Sequence, residues 1–229
     1  MVSDGAFDKL MEKPFVQAFT GGKSVDIFSI KGYLDMRLFS SLPLFIILYF
    51  VIQYAREFSW EVEHKTLDLI LSTPLSQRGF FVSRYLSWVA LDVVLILGLI
   101  LFIILSLLTI GERIDMLFGD ITRTMLSFLP FLLCVQSFGM LVSVSVNDSG
   151  WANGIVLGGY FGMYFLHVVA ILSEGWGLLK YASIFHYWDH NAIFLDGIIP
   201  WGNLSLLLLV AVGLFAVGME VFEGKDLPM

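Results

Sequence analysis

Asp92 is the residue whose placement carries the clearest chemical consequence. It stands inside the long apolar run Phe80–Ile110, about 12 residues from its start, on the order of 18 Å along a helix rising 1.5 Å per residue. An ionised carboxylate at such depth in lipid is costly, and groups of this kind face a bundle interior or a wet cavity. Two roles fit: a pathway residue or proton-linked group, and a hydrogen-bonded structural Asp facing another helix. Gln53, Gln136 and Ser137 are weaker polar candidates for the same interior. A second cluster, His186, Asp189 and His190, spells H-x-x-D-H, with His167 near the end of a preceding apolar run. If helical, it would offer two imidazoles and one carboxylate to a metal, but a site needs a defined ligand count and geometry. Tyr181, Trp188 and Trp201 around it read as an interfacial aromatic belt, and no metal site is assigned. The tetrapeptide Gly21–Ser24 has the ending of a phosphate-binding loop, yet Gln17 stands where that loop needs its first Gly. With neither H-E-x-x-H nor G-x-S-x-G in the chain, no catalytic residues and no cofactor are expected.

These side chains must be positioned by elements built for lipid. The chain has 229 residues, 58% hydrophobic and 14% charged, with 21 Phe and a mean hydropathy of +0.84. Ordinary soluble domains carry about 25% charged residues, so the composition predicts an integral membrane protein. The net charge of −7 argues against nucleic acid as a partner, since phosphate binding needs clustered Lys and Arg. Cys134 is the single cysteine and reads as a small packed hydrophobe. A spanning helix needs about 20 mainly apolar residues. Five stretches qualify: Leu38–Ala55, Phe80–Ile110, Thr124–Val146, Ala152–Leu172 and Leu204–Val221. They are continuous rather than alternating, which excludes a barrel. The expected fold is an all-α polytopic helical bundle. Residues 1–37 form a mixed-charge N-terminal segment in which no signal peptide is expected. Residues 56–79 and 173–203 are polar connectors. Gly154, Gly158 and Gly162 recur every four residues, a spacing that lets helices approach closely in lipid. Packing within the subunit is the favoured role and a dimer seam the sharper one.

The connector 56–79 holds the most informative pattern. Glu61, Glu63, His64, Lys65 and Asp68 are polar, while Leu67, Ile70 and Leu71 form one apolar face at helical spacing. Pro74 then lacks an amide hydrogen and disfavours helix at Thr73, turning the chain back toward the bilayer. The stretch "EVEHKTLDLILSTPLS", Glu61 to Ser76, resembles the "E-x-E-x-G-T-L-E-x-L-L-S-T-P-V-S" pattern of permeases of the type-2 exporter class of ATP-binding-cassette (ABC) transporters. Lys65 stands where that family usually has Gly. "VFEGKDL" near the C-terminus resembles the family's closing "F-x-R-R-D-L", held by Phe222, Lys225, Asp226 and Leu227, with Gly224 in place of a basic residue. "FHYWDHNAIFLDG" resembles the external segment before the family's last span, often "F-x-Y-x-D-P-x-x-A-L-x-G".

The resemblance covers nearly the whole chain. It implies that Glu61, Glu63, Thr66, Leu67, Asp68, Ile70, Leu71 and Pro74 belong to a cytoplasmic coupling helix that docks a soluble ABC ATPase subunit, with ATP and Mg held by that partner. It implies a second permease subunit in a homo- or heterodimer, a multi-pass location in the cell membrane, and residues 1–37 and 173–203 outside. The family usually has six spans, of which five are readable here, and residues 1–37 resemble the external region that follows the family's first. Lys and Arg counts do not favour this orientation, because its external side carries more cations than its cytoplasmic side. The rival readings are a secondary transporter or channel, for which broken spans in two matched halves would be the sign, and a membrane scaffold that docks a soluble partner.

Overall fold

The structure is a computed structural model that describes residues 29–64, 76–111, 114–172 and 174–225. Its described residues are helical, and five helices are long and apolar enough to cross a membrane. The chain is a multi-pass, all-α membrane protein. A short helix α1 (Ile30–Leu34) is capped by Ser29, whose Oγ accepts from the Gly32 amide at 3.0 Å. A π-helical turn (Asp35–Phe39) leads from it to α2 (Leu42–Arg56), which carries Pro43 in its first turn. Proline fits there because those amides have no helical acceptor. After α2 comes the short α3 (Ser59–Glu63).

Ser76 caps α4 (Gln77–Ile110), and Gly111 ends it with a left-handed φ of 79°, a conformation that glycine adopts without a Cβ clash. The expected third span proves to be two helices, α5 (Ile114–Ser127) and α6 (Leu129–Ser145), jogged at Phe128. Pro130 lies in the first turn of α6 and has no N–H to continue the ladder from α5. The bundle is completed by α7 (Ser149–Leu172), two 3₁₀ segments (Glu174–Ala182 and Ile184–His186), α8 (His190–Phe194) and α9 (Trp201–Glu223).

The core gathers around α6, which buries Phe131, Leu132, Val135, Gln136 and Met140 and packs on α9, α2 and α7. Two glycines permit its close crossings. A Cβ on Gly139 would lie 2.7 Å from Tyr54 Cβ on α2, and one on Gly218 would lie 3.2 Å from the Phe81 ring. The long helix α4 sits at the rim and turns Leu97, Leu101, Phe102 and Leu105 outward, as a lipid-facing helix does.

Candidate functional site

The residues flanking the expected coupling helix meet at one end of the bundle. Glu57 and Glu61 stand one helical turn apart, and Arg84 on α4 reaches both. Its guanidinium donates to Glu61 Oε1 at 2.7 Å and lies 3.3 Å from Glu57 Oε1. Trp88 Nε1 donates to Glu57 Oε2 at 2.8 Å. Ser143 Oγ on α6 accepts from the amides of Phe58 and Ser59, at 2.8 and 3.0 Å. These amides need an outside acceptor because the chain bends between α2 and α3, and an unpaired buried N–H is costly. Glu63 is exposed, and its Oε2 accepts from the Ser149 amide at the start of α7.

The C-terminal motif comes to the same end. Phe222 is buried against Phe58, Phe80 and Phe81, with ring centroids 5.0, 6.2 and 5.8 Å away. Arg78 pairs with Glu223 at 2.7 Å, and Lys225 Nζ donates to Asn147 Oδ1 at 2.7 Å. Burial holds the Lys225 ammonium below its usual pKa. Thus the Glu61 stretch and the closing "VFEGK", far apart in sequence, share one surface. Thr66, Leu67, Asp68, Ile70, Leu71 and Pro74 lie outside the described residues, whereas Glu63 and Ser76 on either side of them lie within.

Asp92 is fully buried, and its Oδ1 accepts from the Tyr54 hydroxyl at 2.6 Å. Tyr54 is itself buried and packs edge-on against Trp88 at 5.1 Å. Close by, Gln136 Nε2 donates to the Tyr85 carbonyl at 2.9 Å, and the Tyr85 and Ser137 hydroxyls are 2.9 Å apart. Asp92 thus faces α2 through this hydrogen bond, which both of its expected roles allow. Asp92 Oδ2 and Gln136 Oε1 are buried with no hydrogen-bond partner among the described residues.

At the opposite end, H-x-x-D-H does not form one helix. His186 ends a 3₁₀ segment, Asp189 caps α8 by accepting from the Ala192 amide at 3.0 Å, and His190 begins α8. Among the described residues no group of three or more His, Cys, Asp and Glu side chains is placed to hold a metal. Trp188 departs from the expected belt. It is buried, packs its ring at a tilt against Phe128 with centroids 4.6 Å apart, and donates from Nε1 to Ser127 Oγ at 3.1 Å. Tyr181 and Trp201 are exposed.

The favoured role of the glycine row also needs correcting. Gly154, Gly158 and Gly162 lie on the exposed side of α7, and a Cβ added to any of them meets nothing within 4 Å among the described residues. The helix instead turns Ala152, Val156 and Tyr160 inward, so packing among the described residues does not use the row. The close-approach glycines, Gly139 and Gly218, have no such spacing to announce them. Glu57 and Arg84 were also missed as a pair. The signal available was the i, i+4 spacing of Glu57 and Glu61 opposite an arginine at a span boundary. No protein-family model matches the chain, and no curated protein matches it.

Proposed function

We propose that the chain is the membrane-spanning permease subunit of an ATP-driven exporter of the type-2 ABC class, acting in a prokaryotic plasma membrane. In this reading it pairs with a second permease subunit, identical or different, and separate soluble ATPase subunits hold ATP and Mg and hydrolyse the nucleotide. The chain itself hydrolyses nothing. Segment Glu61–Ser76 is the docking element, and movement of the ATPases passes through it to the spans. Transport then requires that ATP favour one arrangement of the spans over another, which contact alone does not supply.

The observation that supports this reading most is the Glu61–Ser76 pattern together with its setting. Its first carboxylate is clamped by Arg84 to α4, and the second resembling motif packs on the same end of the bundle. A pull-down of the cognate ATPase tests it. Leu67→Asp with Ile70→Asp removes apolar contact of about 1.5–3 kcal/mol per side chain and sets two carboxylates in a dry groove. Docking should weaken by orders of magnitude, while membrane abundance stays unchanged because neither residue belongs to a span. Leu75→Asp, beyond Pro74, should matter less. Normal retention of the ATPase by the double variant would remove the basis of the exporter reading.

A further inference from the structure

The polar cluster opposite the Glu61 end encloses space. A cavity of about 390 Å³ lies between the start of α2, the end of α7 and the segment leading into α8, inside the range of about 300–1,000 Å³ usual for small-molecule pockets. It differs from the cleft beside α1, which is lined almost wholly by apolar side chains such as Leu34, Phe102 and Ile103 and suits lipid. Lys180, His186, Asp189 and His167 all line the polar cavity, with Tyr164 and Phe185 as aromatic wall.

Lys180 and Asp189 line the cavity together with His186 and both act on its charge. Burial, the largest effect, holds the His186 pKa below its usual 6.5; Lys180 pushes it further down and Asp189 pulls it up. The depressed pKa favours the uncharged imidazole, and the lining places one lysine and one aspartate beside His167, His186 and His190. Asp189 is held rigid by its capping bond to the Ala192 amide. The Lys180 ammonium lies 5.0 Å from the centre of the Tyr181 ring. His167 Nδ1 is buried with no hydrogen-bond partner among the described residues, and a buried polar atom of this kind calls for an explanation.

We propose that this cavity binds a small zwitterion of the α-amino-acid type, its carboxylate toward Lys180 and its ammonium toward Asp189. A simple anion would meet the Asp189 carboxylate and a simple cation the Lys180 ammonium, and like-charge juxtaposition selects against both. His167 and His186 supply further donors or acceptors, and Tyr164 and Phe185 give an apolar surface for the remainder of the solute. The proposal does not rest on the transport reading, because the binding needs no ATPase.

The test is equilibrium binding of the twenty free amino acids, at up to millimolar concentration, to the purified full chain in lipid nanodiscs. The tightest binder is then compared with its amide, which lacks the carboxylate, and its N-acetyl derivative, which lacks the ammonium. Saturable binding of at least one amino acid is expected, with each blocked derivative weaker by about tenfold or more. Lys180→Gln and Asp189→Asn should each weaken binding to a similar degree while the melting profile is kept. Asn caps a helix about as well as Asp, so the second variant removes charge without uncapping α8. Binding of no amino acid by the folded chain would overturn the proposal. So would an N-acetyl derivative that binds equally well and gains from Asp189→Asn, which marks an anion site. An amide that binds equally well and gains from Lys180→Gln would overturn it too, marking a cation site.

Discussion

Gly139 is the position at which a single methyl group should be felt most. A Cβ there would come within 2.7 Å of Tyr54 Cβ, and 3.6 Å from the Ala55 amide nitrogen. Carbon atoms pack best at about 3.5–4.0 Å, so Gly139→Ala asks for about 1 Å of extra separation. No rotamer change supplies it, because a Cβ is fixed by its own backbone. The ring of Tyr54 is also held, by Trp88 at 5.1 Å and by the bond to Asp92 at 2.6 Å. Helix α2 must therefore move away from α6 as a whole. Overpacking of this kind costs about 1–3 kcal/mol, set against a gain of up to about 1 kcal/mol from the better helix propensity of Ala. Gly158→Ala on α7 isolates that gain, since its Cβ meets nothing within 4 Å among the described residues. The assay is thermal unfolding of the purified chain in one detergent for both variants. At about 2–4 °C per kcal/mol for a chain of this length, Gly139→Ala should melt several degrees below Gly158→Ala. Equal melting of the two would refute the close crossing of α2 and α6 and, with it, the placement of Tyr54 against Asp92.

Asp92→Asn keeps an acceptor for the Tyr54 hydroxyl and should melt close to the unchanged chain, whereas Asp92→Leu strands a buried hydroxyl and should cost about 1–3 kcal/mol in the same assay. Arg84→Met leaves two neighbouring carboxylates facing each other. Because Arg84 is 39% exposed, its coupling to Glu61 in a double-mutant cycle with Glu61→Gln should be about 1 kcal/mol or less and should shrink with added salt. His186 sets a pH dependence through its depressed pKa. As pH falls through 6.5, the unfolded chain takes up this proton before the folded one does, so stability should decline on acidification, and His186→Gln should flatten the part of the melting-temperature profile that this residue causes.

Much of the fold was legible because lipid imposes a simple code. A run of about 20 apolar residues has few structures open to it other than a helix, and each of the five expected spans falls within one of the five membrane-length helical stretches, give or take one residue, with ends differing by up to eight residues and the third jogged at Phe128. What composition does not encode is which face of each helix turns inward. The row Gly154, Gly158 and Gly162 has the spacing of a packing face, yet α7 turns it outward, because the neighbour is chosen by shape along the whole helix. Trp188 was misread for a related reason. A tryptophan next to a span has the composition of a belt residue, and only the return of the chain toward α5 makes it a core residue packed against Phe128. Asp92 was legible as a residue needing a partner, but Tyr54 as that partner was not, since the pairing depends on how α2 and α4 cross.

The same limit explains why the Glu61 end became coherent only in three dimensions. Segment 65–75 lies between Glu63 and Ser76, and Glu63 and the first turn of α4 are each tied to a helix remote in sequence. Glu63 accepts from the first amide of α7, and Arg78, two residues past Ser76, pairs with Glu223 at the end of α9. Arg84 joins α4 to Glu57 and Glu61, and Ser143 joins the α2–α3 bend to α6. A displacement applied to segment 65–75 therefore loads all five long helices rather than only the two that it links in sequence. Ion pairs at a wet surface contribute little stability individually, but they restrict direction, because each bond resists the sliding of one helix end past another. In the proposed exporter this would let one docking helix move the spans together. In a scaffold the same bonds would hold them still, so the distance between Glu63 and Ser76 with and without nucleotide on the bound ATPase separates the two.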